Sequence, residues 1–201
     1  MKTYFSTIFI MPLTFQGAWN LESYSKIPPN IVTFSSTGMA IKVNQSAGPI
    51  IYSFGKERVV SEFVISGDFK GLPKFTDTSL QGQKKFDDYA LRIGLIVSGE
   101  KRLSGIKKIF SPEWIKRIYA SIPSNSGIDY VQFYNVTQNQ AQLNSSRIHP
   151  TSDLIHEKFF AFIKEAGHFN YSIKMDSPKS ILGLWISVDG DDTKSSYDKL
   201  N

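Results

Sequence analysis

The sequence predicts an all-β fold: an antiparallel two-sheet, jelly-roll-like sandwich with two short helices. Three observations predict it. Apolar residues alternate over many short segments, turn-forming clusters of Gly, Ser, Asn and Asp separate those segments, and aromatic residues make up 13% of the chain. A chain of 201 residues is long enough to bury one core, so we expect a single β-sandwich domain over residues 19–201.

Residues 1–18 allow two interpretations. Lys2, the apolar stretch 4–15 and the small pair Gly17-Ala18 are typical of a secretory signal segment. Pro12 interrupts that stretch, and its β-branched and aromatic residues equally predict a first strand. A signal segment would place the protein in the periplasm or outside the cell, whereas a strand would place it in the cytoplasm.

Strand candidates follow in order along the rest of the chain. Residues 31–34 and 39–43 flank a Ser-Ser-Thr-Gly turn and predict a hairpin. The final segment, 195–201, is polar and is predicted to be a loop. Between them, the further strand candidates are residues 49–54, 58–66, 86–97, 129–137, 169–175 and 180–189.

Two segments have helical features. The first begins with Ser111 as its N-cap and Pro112 at the first helical position, and it extends to Ser121. The second runs from Ser152 to Gly167, with apolar residues at helical spacing and a glycine at the usual C-terminal position. We therefore expect two short helices among the strands.

Alternation along the strands places polar and aromatic residues on the side that faces away from the predicted core. These residues are Glu62, Asp88, Arg92, Trp185 and Asp189. An indole ring can stack on the apolar C–H side of a sugar while charged groups bond its hydroxyls, so the set predicts carbohydrate binding. The alternative is a cross-strand ion pair between Glu62 and Arg92, with Trp185 packed under a helix.

Catalysis is the second hypothesis for this face. Glycosidases use two carboxyl groups about 5–10 Å apart, and Glu62 with Asp88 would supply such a pair if their strands are neighbours. The chain has no Cys, no nucleophile elbow, no phosphate-binding loop and no dinucleotide fingerprint. These absences favour binding over enzyme activity, and we assign no catalytic residue.

Clustered carboxylates near the end of the chain raise the possibility of a metal site. Asp189, Asp191 and Asp192 offer the oxygen ligands that calcium prefers. The segment is not an EF-hand, because Lys194 and Leu200 stand where that loop needs Gly and Glu. A tight Asp-Gly turn is the alternative to a calcium site.

Basic residues concentrate in one segment. Between residues 101 and 117, six Lys or Arg side chains stand against one Glu, so the segment carries the whole net charge of +5. With interleaved apolar residues, it predicts docking to an anionic membrane surface, and a solvated helix is the alternative. Nucleic acid is a less favoured partner, because no nucleic-acid-binding motif accompanies the charge. The basic residues are Lys101, Arg102, Lys107, Lys108, Lys116 and Arg117.

Residues 46–52, 86–93 and 182–193 resemble marker stretches of a bacterial domain-of-unknown-function family. The resemblance implies a secreted or periplasmic jelly-roll sandwich. Because that family has no settled activity, it transfers no catalytic residue. Together with the predicted ligand face, it favours a non-enzymatic binding module of the bacterial envelope for carbohydrate or another glycan. The alternatives are a polysaccharide-acting enzyme and an accessory protein that docks to anionic membranes.

Overall fold

The computed structural model describes residue 11 and residues 13–103, 111–150 and 152–200, with side chains up to Tyr197. The expectations for residues 1–10, Lys107 and Lys108 lie outside this part of the chain. The described residues form ten strands, one α-helix and two short 3-10 turns at Thr78–Leu80 and Gln140–Gln142. The strands are β1 (Trp19–Leu21), β2 (Ile31–Ser35), β3 (Gly38–Asn44), β4 (Ile50–Phe69), β5 (Leu91–Gly99), β6 (Gly127–Thr137), β7 (Ser146–Ile148), β8 (Ile155–Phe162), β9 (Gly167–Ser187) and β10 (Ser196–Leu200), and the helix is α1 (Glu113–Ser121).

The strands form a seven-stranded and a three-stranded portion in a sandwich-like arrangement, which confirms the all-β class. The larger portion has the order β4-β9-β5-β6-β8-β7, with β1 also paired to β4, and the smaller has the order β2-β3-β10. The portions join where β10 pairs with the end of β4 at Phe69. Neighbouring strands are antiparallel except β6 and β8, which run parallel.

β4 and β9 are longer than the strands predicted from the sequence. The candidates 49–54 and 58–66 belong to one strand, and so do 169–175 and 180–189. The pairing of β4 with β9 shifts register between Ser53 and Arg58 and again between Val60 and Glu62. A bulge of this kind bends a strand without ending it and changes which side chains share a face.

The main core lies between the two portions. Leu91, Ile93 and Leu95 of β5 are buried with Ile186 of β9 and Ile41 of β3. Leu91, Ile93 and Leu95 share one face of β5, as alternate residues of a strand do. Each such side chain contributes about 1.5–3 kcal/mol when it leaves water, so this cluster holds the two portions together.

A second cluster covers the opposite face of the seven-stranded portion, which we call the helix face. There Ile96, Phe133 and Trp185 pack with Ile118 of α1. α1 confirms the first predicted helix, although Pro112 rather than Ser111 precedes its first residue. The amphipathic helix thus closes one end of this face and leaves the other end to polar side chains.

The second predicted helix is wrong, because residues 155–162 form β8. This segment is rich in aromatic residues, and parallel pairing with β6 satisfies its backbone. Along it, Glu157 and Phe159 are buried while the intervening Lys158 is half-buried. The loop predicted at 195–201 is also wrong, since β10 occupies most of it.

The described residues before β1 do not form a strand. Residues 14–18 consist mainly of bends and turns, and β1 begins at Trp19. No helix within the described ranges has both the length and the apolar character needed to cross a membrane.

Candidate binding site

Five ionisable side chains meet at the end of the helix face that α1 leaves free. We call them the charged cluster: Asp87, Arg92, Arg147, His149 and Glu157. Arg92 lies on β5, Glu157 on β8 and Arg147 on β7, while Asp87 and His149 lie in adjoining loops. The strand order β5-β6-β8-β7 therefore brings together residues that are far apart in the chain.

The charged cluster is a chain of ion pairs. Nη2 of Arg92 lies 2.8 Å from Oδ1 of Asp87 and 3.7 Å from Oε1 of Glu157. Nε of Arg147 donates a hydrogen bond to Oε2 of Glu157 at 2.6 Å. Nε2 of His149 lies 3.5 Å from Oδ2 of Asp87. Each carboxylate thus has a guanidinium group as its near neighbour, which offsets the cost of removing these charges from water.

Burial and charge together set the ionisation of Asp87 in this cluster. The side chain of Glu157 is 1% exposed and that of Arg147 is 28% exposed, so the cluster reaches solvent on one side. Burial favours the neutral form of Asp87, but the positive charge of Arg92 and the hydrogen bond from His149 lower its pKa to about 2. Asp87 is therefore ionised at neutral pH.

Two buried aromatic rings form the apolar side of the cluster. Cζ of Arg92 lies 4.2 Å from the centre of the Tyr89 ring, and Cζ of Arg147 lies 5.3 Å from the centre of the Phe159 ring. A guanidinium group above a ring gains cation–π attraction and still directs its N–H groups outward in its own plane.

Several buried polar atoms in this region have no hydrogen-bond partner within the part of the chain that the structure describes. They are Oδ1 of Asp87, the hydroxyl of Tyr89, Nε and Nη2 of Arg92, Oδ1 of Asn135 and Nη2 of Arg147. Asp87 and Arg92 attract each other as charges, yet their contact lacks hydrogen-bond geometry. Folded proteins leave few buried polar groups unpaired, so this concentration indicates a place for water, an ion or a ligand.

Gly82 shows that two of these atoms border the same space. Its φ of +83° is favourable for glycine, and a Cβ at this position would lie 2.7 Å from the Tyr89 hydroxyl and 2.9 Å from Nη2 of Arg147. The carbonyl of Gly82 accepts a hydrogen bond from Nη1 of Arg147 at 3.0 Å. A side chain at residue 82 would enter the cluster.

The loop that carries Asp87 is fixed on two sides. Nε2 of Gln81 donates to the carbonyl of Asp88 at 2.8 Å, and the Asp87 N–H donates to Oδ2 of Asp192 at 3.0 Å. The Asp88 carboxylate accepts hydrogen bonds from the N–H and hydroxyl of Thr193 at 2.7 and 2.6 Å. These contacts hold Asp87 in place beside Arg92 and give Asp88 a structural role.

The carboxylates of the predicted calcium site lie close to Asp88. Burial raises the pKa of Asp189 to about 8 against the opposing effect of Arg92, with further contributions from Asp88 and Asp191. Burial, Asp88 and Asp192 raise the pKa of Asp191 to about 6. Among the described residues, no group of three or more His, Asp or Glu side chains is arranged to hold a metal ion. A calcium site at Asp189, Asp191 and Asp192 stays a prediction.

The structure brings together three of the residues predicted to bind a ligand. Arg92 belongs to the charged cluster, and the charges of both Asp88 and Arg92 act on the carboxyl group of Asp189. Ser187 pairs with Arg92 across β9 and β5, and its hydroxyl lies 3.5 Å from Asp189. The predicted outer faces of β5 and β9 thus meet as the alternation requires.

Trp185 and Glu62 are placed differently. Trp185 lies on the helix face, but it is 5% exposed, and its ring packs edge-on against Phe133 with 5.6 Å between ring centroids. Glu62 lies on the exposed side of β4, where it accepts a hydrogen bond from the Ser172 hydroxyl at 2.7 Å. Arg92 pairs with Asp87, so Glu62 does not serve as its partner.

The described part of the basic segment is engaged in local contacts. Arg117 lies 3.1 Å from Glu22 and 3.2 Å from Glu113, and Lys101 lies 3.8 Å from an Asp side chain. Arg102 is exposed. Docking to an anionic surface through this segment stays a prediction.

Sequence reasoning missed Asn135, Arg147, His149 and Glu157. Because residues 152–167 were predicted to form a helix, Glu157 was not assigned to the sheet, where its strand pairs with β6 and β7. One signal was available: a single carboxylate stands between the apolar residues Ile155 and Phe159 at strand spacing. Such a residue is rarely buried unless it is paired.

Comparison with known proteins found no match to any family model, to any curated protein or to any solved structure. The resemblance to a family of unknown function and the location in the bacterial envelope therefore stay predictions.

Proposed function

We propose that the protein is a non-enzymatic binding module for a carbohydrate and that the charged cluster is its binding site. The set of unpaired polar atoms around the cluster carries the proposal. It includes N–H donors as well as carbonyl and carboxylate acceptors. A sugar hydroxyl both donates and accepts hydrogen bonds, so a ring with several hydroxyls suits a site that offers both kinds of group.

Each part of the site has a task in this proposal. Nε of Arg92 and Nη2 of Arg147 would donate to ring or hydroxyl oxygens, and Oδ1 of Asn135 would accept from a hydroxyl. The Tyr89 hydroxyl can do either. Because ion pairs and the fixed loop already hold Arg92 and Arg147, little conformational entropy is lost when a ligand binds.

The contacts of the two carboxylates in the charged cluster suit a binding module better than a glycosidase, which needs a carboxyl group placed to deliver a proton. Asp87 has a pKa of about 2. Glu157 accepts hydrogen bonds from Asn135 at 2.8 Å and from Arg147 at 2.6 Å. Both carboxylates are therefore suited to hold the guanidinium groups in position.

A glycan array tests the proposal, with neutral and acidic oligosaccharides and with calcium or a chelator in parallel. We expect retention of a defined subset of oligosaccharides and no release of cleaved product from them. Loss of retention with chelator would add calcium at Asp189, Asp191 and Asp192 to the site. A blank array under both conditions would contradict the proposal.

The variant Arg147→Lys tests whether oligosaccharides bind at the charged cluster. Lysine keeps the charge beside Glu157 but lacks the second N–H group that Arg147 leaves unpaired. We expect affinity for the retained oligosaccharides to fall about tenfold, equivalent to one lost hydrogen bond with a charged donor. Arg102→Lys, which changes an exposed arginine, is the matched control and should bind normally.

A further inference from the structure

β2 forms an open edge of the sheet. In the part of the chain that the structure describes, β2 pairs with β3 on one side and is the last strand of the order, so its other side has no partner strand. The pairing with β3 runs from Ile31 to Ser35 without a register shift. An edge of this kind presents a row of unpaired backbone N–H and C=O groups. β2 is therefore able to accept a further strand.

β2 lacks the features that protect the other edges. Natural sheets guard their edges with charged residues, proline, bulges or very short strands. Where β9 pairs with β4 alone, its segment 174–179 contains two Lys, one Asp and one Pro. β7, at the opposite end of the order, has only three residues. β2 has the sequence Ile-Val-Thr-Phe-Ser, which contains neither a charged residue nor a proline.

A cleft and exposed apolar side chains lie beside this edge. Val32 lines a cleft of about 240 Å³ together with Leu21, Pro29 and Pro49. The side chain of Ile31 is 59% exposed and that of Leu21 is 42% exposed. Sites for drug-sized ligands usually have about 300–1,000 Å³, so this cleft is better suited to a single side chain. Strand addition commonly combines backbone pairing at an edge with a pocket for a side chain of the added strand.

A second copy of β2 fits both the edge and the cleft. Pro29 lies shortly before the strand and the turn 36–37 follows it, so five residues are left to pair. Antiparallel pairing of all five residues with a second copy places Thr33 opposite its counterpart and Phe34 opposite Val32. Val32 and Phe34 are half-buried and pack against the main core, so the second copy's Phe34 would lie beside the cleft. No like charges would oppose each other between the two strands.

We infer that the protein forms a two-fold dimer in which β2 of each copy pairs antiparallel with β2 of the other, centred on Thr33. The three-stranded portions of the two copies then form one six-stranded sheet, in the order β10-β3-β2-β2-β3-β10. Each copy offers the same surface to the other, so the assembly closes at two copies. The inference does not depend on carbohydrate binding, because β2 contributes no residue to the charged cluster.

Sedimentation equilibrium of the full chain tests the association. An interface built on one strand pair is at the small end of specific interfaces, so the dimer should be weak and reversible. We expect monomer and dimer to exchange over a concentration series from about 1 µM to about 1 mM. Monomers at every concentration, or assemblies larger than a dimer, would overturn the inference.

Charges at Thr33 test whether β2 is the surface that pairs. Thr33 is exposed, and in Thr33→Lys or Thr33→Glu alone two like charges would lie opposite each other. At low ionic strength the dissociation constant should rise about fivefold in each variant, and an equimolar mixture of the two should restore the dimer. Val64→Lys and Val64→Glu, at a side chain of β4 that is 64% exposed, are the matched controls and should each dimerise like wild type. Unchanged dimerisation of the Thr33 variants, or a mixture of the two folded variants that stays monomeric, would overturn the pairing through β2.

Discussion

The two ends of the helix face differ in what completes them. At one end Trp185 and Phe133 pack with Ile118 on the apolar side of α1. At the other end, Arg92 and Glu157 are held by ion pairs while polar atoms around them stay unpaired in the described part of the chain. The first end is filled by apolar packing, although Nε1 of Trp185 is also unpaired within the described residues. The second end is held in place by ion pairs but has polar atoms without hydrogen-bond partners, as expected of a binding site.

Shortening a side chain at the apolar end should have the largest effect on the free energy of unfolding. Trp185→Ala should lower the free energy of unfolding by about 3–5 kcal/mol, because it leaves a cavity under α1. Urea unfolding followed by circular dichroism measures the loss. Val64→Ala, at a side chain that is 64% exposed, is the control and should change stability by less than about 0.5 kcal/mol. A mild effect of Trp185→Ala would show that α1 does not depend on this packing.

Removing one member of a buried ion pair should have the next largest effect. Glu157→Ala strips Arg147 and Asn135 of their acceptor, and we expect a loss of about 3 kcal/mol in the free energy of unfolding. The double variant Arg147→Met/Glu157→Leu should regain much of that loss, because it leaves no uncompensated charge. Recovery in the double variant would show that the fold does not require these charges. If stability is not recovered, the fold depends on these charges as it depends on packing at the apolar end.

The pH dependence of stability provides a further test at the charged end. The folded protein keeps the proton of Asp189 up to its pKa of about 8, whereas the unfolded chain loses it near the ordinary aspartate pKa of 3.8. Between these values the folded state binds the additional proton, so stability falls as the pH rises. Asn has no carboxyl group to ionise, so Asp189→Asn should remove this decline and be more stable than wild type at pH 9. Thermal unfolding of both proteins from about pH 4 to 9 measures this pH dependence. Parallel curves of stability against pH for wild type and variant would contradict the prediction.

Substitution of Gly82 should give the smallest effect on the fold. Gly82→Ala would place a Cβ 2.7 Å from the Tyr89 hydroxyl at a φ of +83°, so we expect a loss of about 1 kcal/mol. Because that Cβ enters the proposed site, the retained oligosaccharides should also bind less tightly. Gly55→Ala has a comparable φ of +69° with nothing within 4 Å, and it is the control for backbone strain alone. Equal effects of the two substitutions on oligosaccharide binding would show that Gly82 does not border the binding site.

The fold class and the faces of β5 could be predicted from the sequence because alternation is a local property. Leu91, Ile93 and Leu95 repeat at a spacing of two, and strand geometry places them on one side. Glu62 faces away from the core, as alternation predicts, but it pairs with Lys174 and not with the part of β9 beside Arg92. The pattern of one strand does not reveal its register against its neighbours.

Of the charged cluster, the sequence predicted Arg92 as a ligand-binding residue, and the other members depended on long-range contacts. Arg92 could be placed on the outer face of β5 from periodicity, whereas Asp88 and Asp189 lie outside the ends of β5 and β9, contrary to the strands predicted over 86–97 and 180–189. Arg147 and Glu157 enter through the parallel pairing of β8 with β6 and the short strand β7. The apolar residues of 154–163 fit helical as well as strand spacing, so tertiary pairing decided between the two.

A matched pair of isosteric variants tests the central claim most directly. Asp87→Asn removes the carboxylate that orients Arg92, and Glu62→Gln removes a carboxylate on the exposed side of β4. Calorimetric titration with an oligosaccharide retained on the array should show an affinity loss of about tenfold or more for Asp87→Asn and none for Glu62→Gln. Equal affinity of wild type and folded Asp87→Asn, or loss in Glu62→Gln instead, would contradict the placement of the binding site at the charged cluster.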